Sequence, residues 1–313
     1  MRKIIAATLY LCVQSSVFCN CVYEELLNFN FMSNTKNTII TGAAGKTIAI
    51  DIFYTDAEAD RPVVIYAHGF NGFKDWGNAD LIAQQFAAAG YVFVKFNFSH
   101  NGTTPEHLQD FVDLEAFGNN NYTKQLYDVN CVVNWVSDKN NIHNKAINKN
   151  NISLIGHSMG GGIATLYAAK DARIKKLITW AGISECKTPW TNWSEEKIQA
   201  WKRSGVEYYL NGRTKQNMPL YYQLHQDYLD NASALNIETA MRSLTIPVLI
   251  CHGSLDTAVP IEKAFDLRSW QPASTLFTVD SDHVFGRTHP WDLSELPEAL
   301  QAVVNETIRF IEV

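Results

Sequence analysis

"NISLIGHSMGGGIATLYAA" (Asn151–Ala169) passes from an apolar, β-branched run, through a serine fenced by glycines, into an apolar, alanine-rich run with helical spacing. Gly156, Ser158 and Gly160 form G-x-S-x-G, in which the two glycines leave room for a sharp strand-to-helix turn around the serine. Such a turn exposes the serine side chain. The N-terminus of the following helix offers free N–H groups and a dipole that favour a developing negative charge. Two readings stay open on this stretch alone, a nucleophile at Ser158 or a tight structural turn.

Working outward, short apolar strand patterns alternate with helical ones. "TIIT" and "TIAIDIFY" flank "GAAGK" and read as a hairpin; "VVIYAH" (Val63 to His68) and "YVFVKFN" (Tyr91 to Asn97) are β-branched and aromatic runs. Leu81, Ile82 and Phe86 share one helical face before Gly90, and Leu126, Val129, Val133 and Val136 share another. After the helix that follows Ser158 come the strand "KKLITWAG", the strand "IPVLICHG", a helix from Pro260, the strand "STLFTVD" and a last helix from about Leu293. This order predicts a mostly parallel sheet with helices on both faces. Between about residues 183 and 245 the alternation breaks and the chain reads as helices and loops, an inserted small helical cap.

A nucleophilic serine needs a base, and the base needs an orienting acid. His283, in "DSDHVFG", follows the last strand, and Asp256, in "ICHGSLDTAVP", follows the one before it. Loops at the carboxyl ends of parallel strands share one edge of the sheet, so Ser158, Asp256 and His283 can converge there. Their order along the chain, Ser, Asp, His, is the one this strand arrangement requires. His157 and His252 lie beside strand ends and read as loop-orienting side chains. The set Asp280, Asp282, His283 and His289 has no metal-site spacing, so no metal is expected. Acyl transfer also needs two fixed N–H donors for the carbonyl oxygen; Met159, after the serine, and Phe70, in "AHGFNGFKDWG", are placed to supply them.

The chain has 313 residues, 46% of them hydrophobic, enough for one large domain with a substantial core. Its formal charge of −6, with both signs scattered, offers no surface for nucleic acid. "GAAGKT" and "MGGGIA" miss the spacing of phosphate-binding and dinucleotide-binding loops. Residues 1–21 have a basic start and an apolar run from Ile4 to Val13, the layout of a signal peptide for export; the competing reading is a start at Met32 and a cytoplasmic protein. No other stretch approaches the roughly 18 apolar residues of a membrane span. Cys131, Cys186 and Cys251 are dispersed and odd in number, against a disulfide framework.

Taken together, "HGF", "GHSMGG", "HGSLDTAVP" and "DHVF" resemble the α/β-hydrolase superfamily, in particular its dienelactone-hydrolase-like, cinnamoyl-esterase-like and prolyl-oligopeptidase-like members. The resemblance covers about residues 37–313. It implies an eight-stranded sheet with one antiparallel strand near its start, a serine acyl-enzyme mechanism and no cofactor. The expected function is hydrolysis of small-molecule carboxylic esters, with a peptidase or amidase of the aminopeptidase or prolyl-oligopeptidase kind as the alternative. A noncatalytic binding protein on the same fold is the remaining one. The family's true dienelactone hydrolases use cysteine where this chain has Ser158. Trp190, Trp193, Trp201, Tyr221 and Tyr222 of the inserted segment are the expected substrate-pocket residues, with a small core of the segment's own as the competing role.

Overall fold

The computed structural model describes residues 33–55 and 58–312. The signal-peptide stretch and Met32 lie outside the described residues. Ten strands and nine helices of the α type are named here in chain order. β1 (Ser33–Thr41) and β2 (Thr47–Tyr54) form the expected hairpin, with a 3-10 turn at Ala43–Gly45 between them. β3 (Arg61–Ala67), α1 (Ala79–Ala88), β4 (Val92–Phe96), α2 (Leu114–Gly118) and α3 (Tyr122–Ser137) follow. Then come β5 (Ile147–His157), α4 (Met159–Ala168) and β6 (Ile174–Trp180). The last third holds α5 (Glu195–Ser204), β7 (Val206–Leu210), β8 (Asn217–Tyr221), α6 (Gln223–Asp230), α7 (Ile237–Ser243), β9 (Val248–Gly253), α8 (Glu262–Trp270), β10 (Thr275–Val279) and α9 (Glu298–Glu312).

Eight strands make one sheet in the order β1-β2-β4-β3-β5-β6-β9-β10. β2 runs antiparallel to both β1 and β4, and every other pairing is parallel. This is an α/β-hydrolase fold. Because parallel strands need crossover connections, helices cover both faces and the central strands are buried on each side. On one face Ile82 and Phe86 of α1 meet Val64, Phe93 and Ile155, together with Leu300 and Val303 of α9. On the other, Val129 and Val133 of α3 and Ile163 and Leu166 of α4 pack on Val63, Leu154 and Leu177. Each such fully buried side chain contributes about 1.5–3 kcal/mol relative to exposure. The indole N–H of Trp180 donates to Thr307 Oγ1 at 3.1 Å and fixes α9 to the sheet.

The expectation for residues 183–245 needs correcting. Beside α5, α6 and α7 the segment contains an antiparallel hairpin, β7 paired with β8 from Val206↔Tyr221 to Leu210↔Asn217. Gly205, at φ +74, ends α5 in a left-handed cap, and the chain turns directly into "VEYYL", whose aromatics suit a strand. The last helix also begins later than expected, at Glu298, because residues 285–297 are spent on turns and two prolines.

A cluster of ionised side chains sits beneath β2 and β4. Lys95 Nζ lies 3.0 Å from Asp51 and 2.7 Å from Asp80 and also pairs with Asp75; Lys74 Nζ lies 2.8 Å from Asp51 and 2.7 Å from Asp75. The three carboxylates are close enough to hold a cation, and the two buried ammonium groups supply that charge. None of the helices among the described residues is long and apolar enough to cross a membrane.

Candidate active site

β5 ends at His157 and α4 begins at Met159, so Ser158 has to make the whole turn between them. Its backbone adopts φ 56 and ψ −122, a region costly for any residue with a Cβ, and is held there by Ser158 N donating to Trp180 O at 2.9 Å and by Gly161 N donating to Ser158 O at 2.9 Å. The glycines explain themselves by what a Cβ would meet: at Gly156 the Gly160 carbonyl oxygen at 2.1 Å, and at Gly160 the carbonyl oxygens of Ala67 and His68, each at 2.5 Å. The start of α4 is thereby pressed against the end of β3.

The loop after β3 crosses directly over the serine. A Cβ on Gly69 would lie 2.9 Å from Ser158 Cβ. His68, buried beneath the loop, has its pKa pushed down to about 4 by burial. It is therefore neutral at pH 7, donating from Nδ1 to Gly69 O at 2.9 Å and accepting Phe98 N at Nε2 at 3.3 Å. Phe70 lines the same cavity as Ser158, and its N–H makes no hydrogen bond among the described residues. Met159 is the first residue of α4, so its N–H has no partner within the helix. Phe70 thus stands on the wall of the Ser158 cavity, and Met159 directly follows the serine in the chain.

His283 lines the cavity with Ser158, and its Nδ1 is 2.7 Å from Asp256 Oδ2. Asp256 is fixed from three sides: Oδ1 accepts Ala258 N at 2.9 Å and Val259 N at 2.8 Å, and Oδ2 also lies 3.3 Å from His252 Nε2. Burial opposes its ionisation, but the hydrogen bonds from His252 and His283 hold the carboxyl well below the usual carboxylate range. The carboxylate therefore takes the proton-bearing Nδ1 of His283 as a donor and leaves Nε2 as an acceptor. His157, far below its ordinary pKa because it is buried, donates from Nε2 to the His283 carbonyl at 3.0 Å and pins that loop. The cavity itself measures about 170 Å³.

The expected pocket rings lie elsewhere. Trp190, Trp193, Trp201, Tyr221 and Tyr222 do not line the Ser158 cavity. Trp190, Trp193 and Tyr222 pack around the fully buried Trp201, whose indole N–H donates to Leu220 O at 2.6 Å; Tyr221 OH donates to Glu115 at 2.5 Å. Trp190 and Trp201 join the hydrophobic core that also holds Tyr122 of α3, and Tyr221 lies against Gly118 of α2, so these rings anchor the segment to the main domain. The residue that does reach the site is Tyr209, whose hydroxyl donates to Asn71 Oδ1 and whose ring lies 5.8 Å from that of Phe70. Trp76 and Arg287 also line the cavity and were not expected. Arg287 falls four residues after His283, and that proximity in the chain is the available signal. The set Asp280, Asp282, His283 and His289 does not converge: Asp280 accepts Ser254 Oγ, Asp282 accepts Val284 N and Gly286 N, and His289 Nδ1 accepts Gly77 N.

Comparison with known proteins agrees with this architecture. An uncharacterized 31.7 kDa protein in the traX-finO intergenic region of Escherichia coli is 26% identical over 132 residues, 42% of this chain and 41% of that protein. The match therefore spans less than half the length of that relative. Among solved structures, a putative hydrolase from Agrobacterium vitis S4 superposes with a TM-score of 0.66 at 18% identity, covering 90% of this chain and 99% of the other. Est1E from Butyrivibrio proteoclasticus, crystallised with ferulic acid, gives 0.61 at 19% identity, covering 89% and 100%. At these identities the likeness establishes the fold. The BD-FAE family profile matches residues 50–271, most of the chain, and the protein belongs to the BD-FAE family within the α/β-hydrolase superfamily.

Proposed function

We propose that the protein is a serine hydrolase that cleaves carboxylic esters through an acyl-enzyme. The observation that carries this reading is the Asp256–His283 pair at 2.7 Å on the wall of the cavity into which the strained turn presents Ser158. Ser158 Oγ attacks the ester carbonyl carbon while His283 Nε2 takes its proton, and Asp256 stabilises the imidazolium through Nδ1–H. The carbonyl oxygen, now anionic, receives the N–H groups of Phe70 and Met159; a donor of this kind is worth roughly 3 kcal/mol of barrier. Collapse breaks the bond to the alcohol oxygen, which leaves with the proton from His283, and water repeats the cycle on the acyl-serine. The ferulic acid held by Est1E is a carboxylic acid, the product class of such a reaction, and supports an ester substrate.

Within this reading, residues 183–245 act as a cap, with Tyr209 as its contact to the site. An aminopeptidase would need a carboxylate for the substrate's amine. The cavity lining offers none: it contains no Asp or Glu among the described residues, while Glu207 of the inserted segment pairs with Lys197 at 3.7 Å and Glu195 accepts Gln199. The test is a panel of matched esters and amino-acid anilides, with a fluorophosphonate probe as control. Esters are turned over, the probe labels Ser158, and Ser158→Ala lowers kcat by about six orders of magnitude. Ester hydrolysis near wild-type level in Ser158→Ala refutes the mechanism.

A further inference from the structure

The Ser158 cavity adjoins a wider pocket of about 510 Å³, and Asn71, Trp76, Val284 and Arg287 line both. Among the described residues neither lining contains a carboxylate, although the chain as a whole carries a formal charge of −6. The charged side chains of the wider pocket are Arg287 and Arg213. Arg287 is 4% exposed; its Nε donates to Val284 O at 2.9 Å and its guanidinium lies 5.3 Å from the Trp76 ring centre. Nη1 and Nη2 make no hydrogen bond and no ion pair among the described residues. Arg213, exposed on the turn between β7 and β8, rests over Phe73 and Phe111 and donates to the Gln109 carbonyl at 3.1 Å, again without a carboxylate partner among the described residues. Asp75 and Asp110 belong to the groove beyond His289 and not to this pocket.

Neither nitrogen of the fork is sealed from solvent, so the fork opens into the pocket with no protein partner among the described residues, and a charged donor pair so placed is available to an anionic ligand. The planar fork matches a carboxylate in two parallel hydrogen bonds. Position selects which half of the substrate carries it. The leaving oxygen has to lie within reach of His283, so the alcohol half emerges beside the loop that His283 begins. That loop supplies Val284, Arg287, Thr288 and His289 to the pocket.

We propose that this pocket is a carboxylate subsite: the substrate is an ester whose alcohol half bears a carboxylate, gripped by Arg287 and by Arg213 from the inserted hairpin. The assignment rests on the serine esterase reading and names its substrate class.

The test uses 4-carboxyphenyl acetate and the neutral isostere 4-carbamoylphenyl acetate, which share one acyl group. Their kcat/KM ratio, compared between proteins, cancels the difference in leaving-group chemistry. In Arg287→Gln the carboxy-to-carbamoyl ratio falls about tenfold or more, the scale of a charge-assisted hydrogen bond, and in Arg213→Gln it falls about threefold. An unchanged ratio in Arg287→Gln overturns the proposal. If that variant lacks a cooperative melt, the exposed Arg213 position decides: a fall supports the subsite and an unchanged ratio overturns it. Wild-type protein that hydrolyses neither ester and leaves the fluorophosphonate unreacted removes the esterase reading itself, which is a distinguishable failure.

Discussion

Replacing Asp256 with asparagine keeps the size of the side chain, and the loop dictates which way the amide must turn. Oδ1 of Asp256 accepts two backbone N–H groups, Ala258 at 2.9 Å and Val259 at 2.8 Å. In Asp256→Asn the amide oxygen has to occupy that place, since an NH2 group there would face two donors. The NH2 then falls where Oδ2 stood, 2.7 Å from His283 Nδ1 and 3.3 Å from His252 Nε2. A donor opposite Nδ1 drives the His283 proton to Nε2, and an imidazole in that form cannot accept the Ser158 proton. Where this tautomer reversal has been imposed on a Ser-His-Asp site, kcat falls by about four orders of magnitude, roughly 5.4 kcal/mol of barrier. Initial rates with 4-nitrophenyl acetate at pH 7, on variant protein shown by circular dichroism to be folded, read the effect. A rate within tenfold of wild type, while Ser158→Ala is inactive, would refute the orienting role of Asp256.

Two further outcomes concern parts of the molecule away from the triad. Burial opposes the ionisation of Asp75, but Lys95 and Lys74 lower its pKa from 3.8 to about 2, so its stabilising contribution is complete above about pH 4 and lost as the pH falls toward about 2. Asp75→Asn, which leaves Lys95 short of a buried partner, costs about 3 kcal/mol at pH 7 and makes the acid loss of stability between pH 4 and 2 shallower, as read from urea unfolding across that range. An acid limb as steep as the wild type's would show that Asp75 is not the titrating group. Tyr209→Phe removes the hydrogen bond to Asn71 and lowers kcat about threefold to tenfold with KM little changed, because the Phe70 N–H loses its anchor while the cavity keeps its shape. A change confined to KM would instead place Tyr209 in substrate binding.

Much of the architecture could be read in advance because parallel strands leave plain signatures. Val63–Ala67 and Val248–Cys251 are apolar on both faces, as is Val92–Phe96 but for Lys95, and the helices between them carry clear stripes. Strand order then puts the loops of Ser158, Asp256 and His283 at one edge without any knowledge of contacts. The inserted segment resisted the same treatment. "VEYYL" and "NMPLY" alternate weakly and include Pro219, so their pairing as β7 and β8 depends on each other and on the helices beneath. The aromatic content of the segment was visible, but not its direction: Trp201 turns into the segment and Tyr209 turns out of it. That Arg287 lacks a carboxylate partner among the described residues is likewise a fact about space, because its chain neighbours give no hint of what surrounds it.

The bond from Tyr209 to Asn71 has an evolutionary consequence. Asn71 is held at φ 59, next to Phe70, by a residue of the very segment that also brings Arg213 to the mouth of the site. On the proposed mechanism, substitutions that reshape the hairpin to suit a new alcohol group also shift the anchor of the Phe70 donor. On that reading substrate preference and turnover change together, and the hairpin is free to diverge only where Tyr209 keeps its grip.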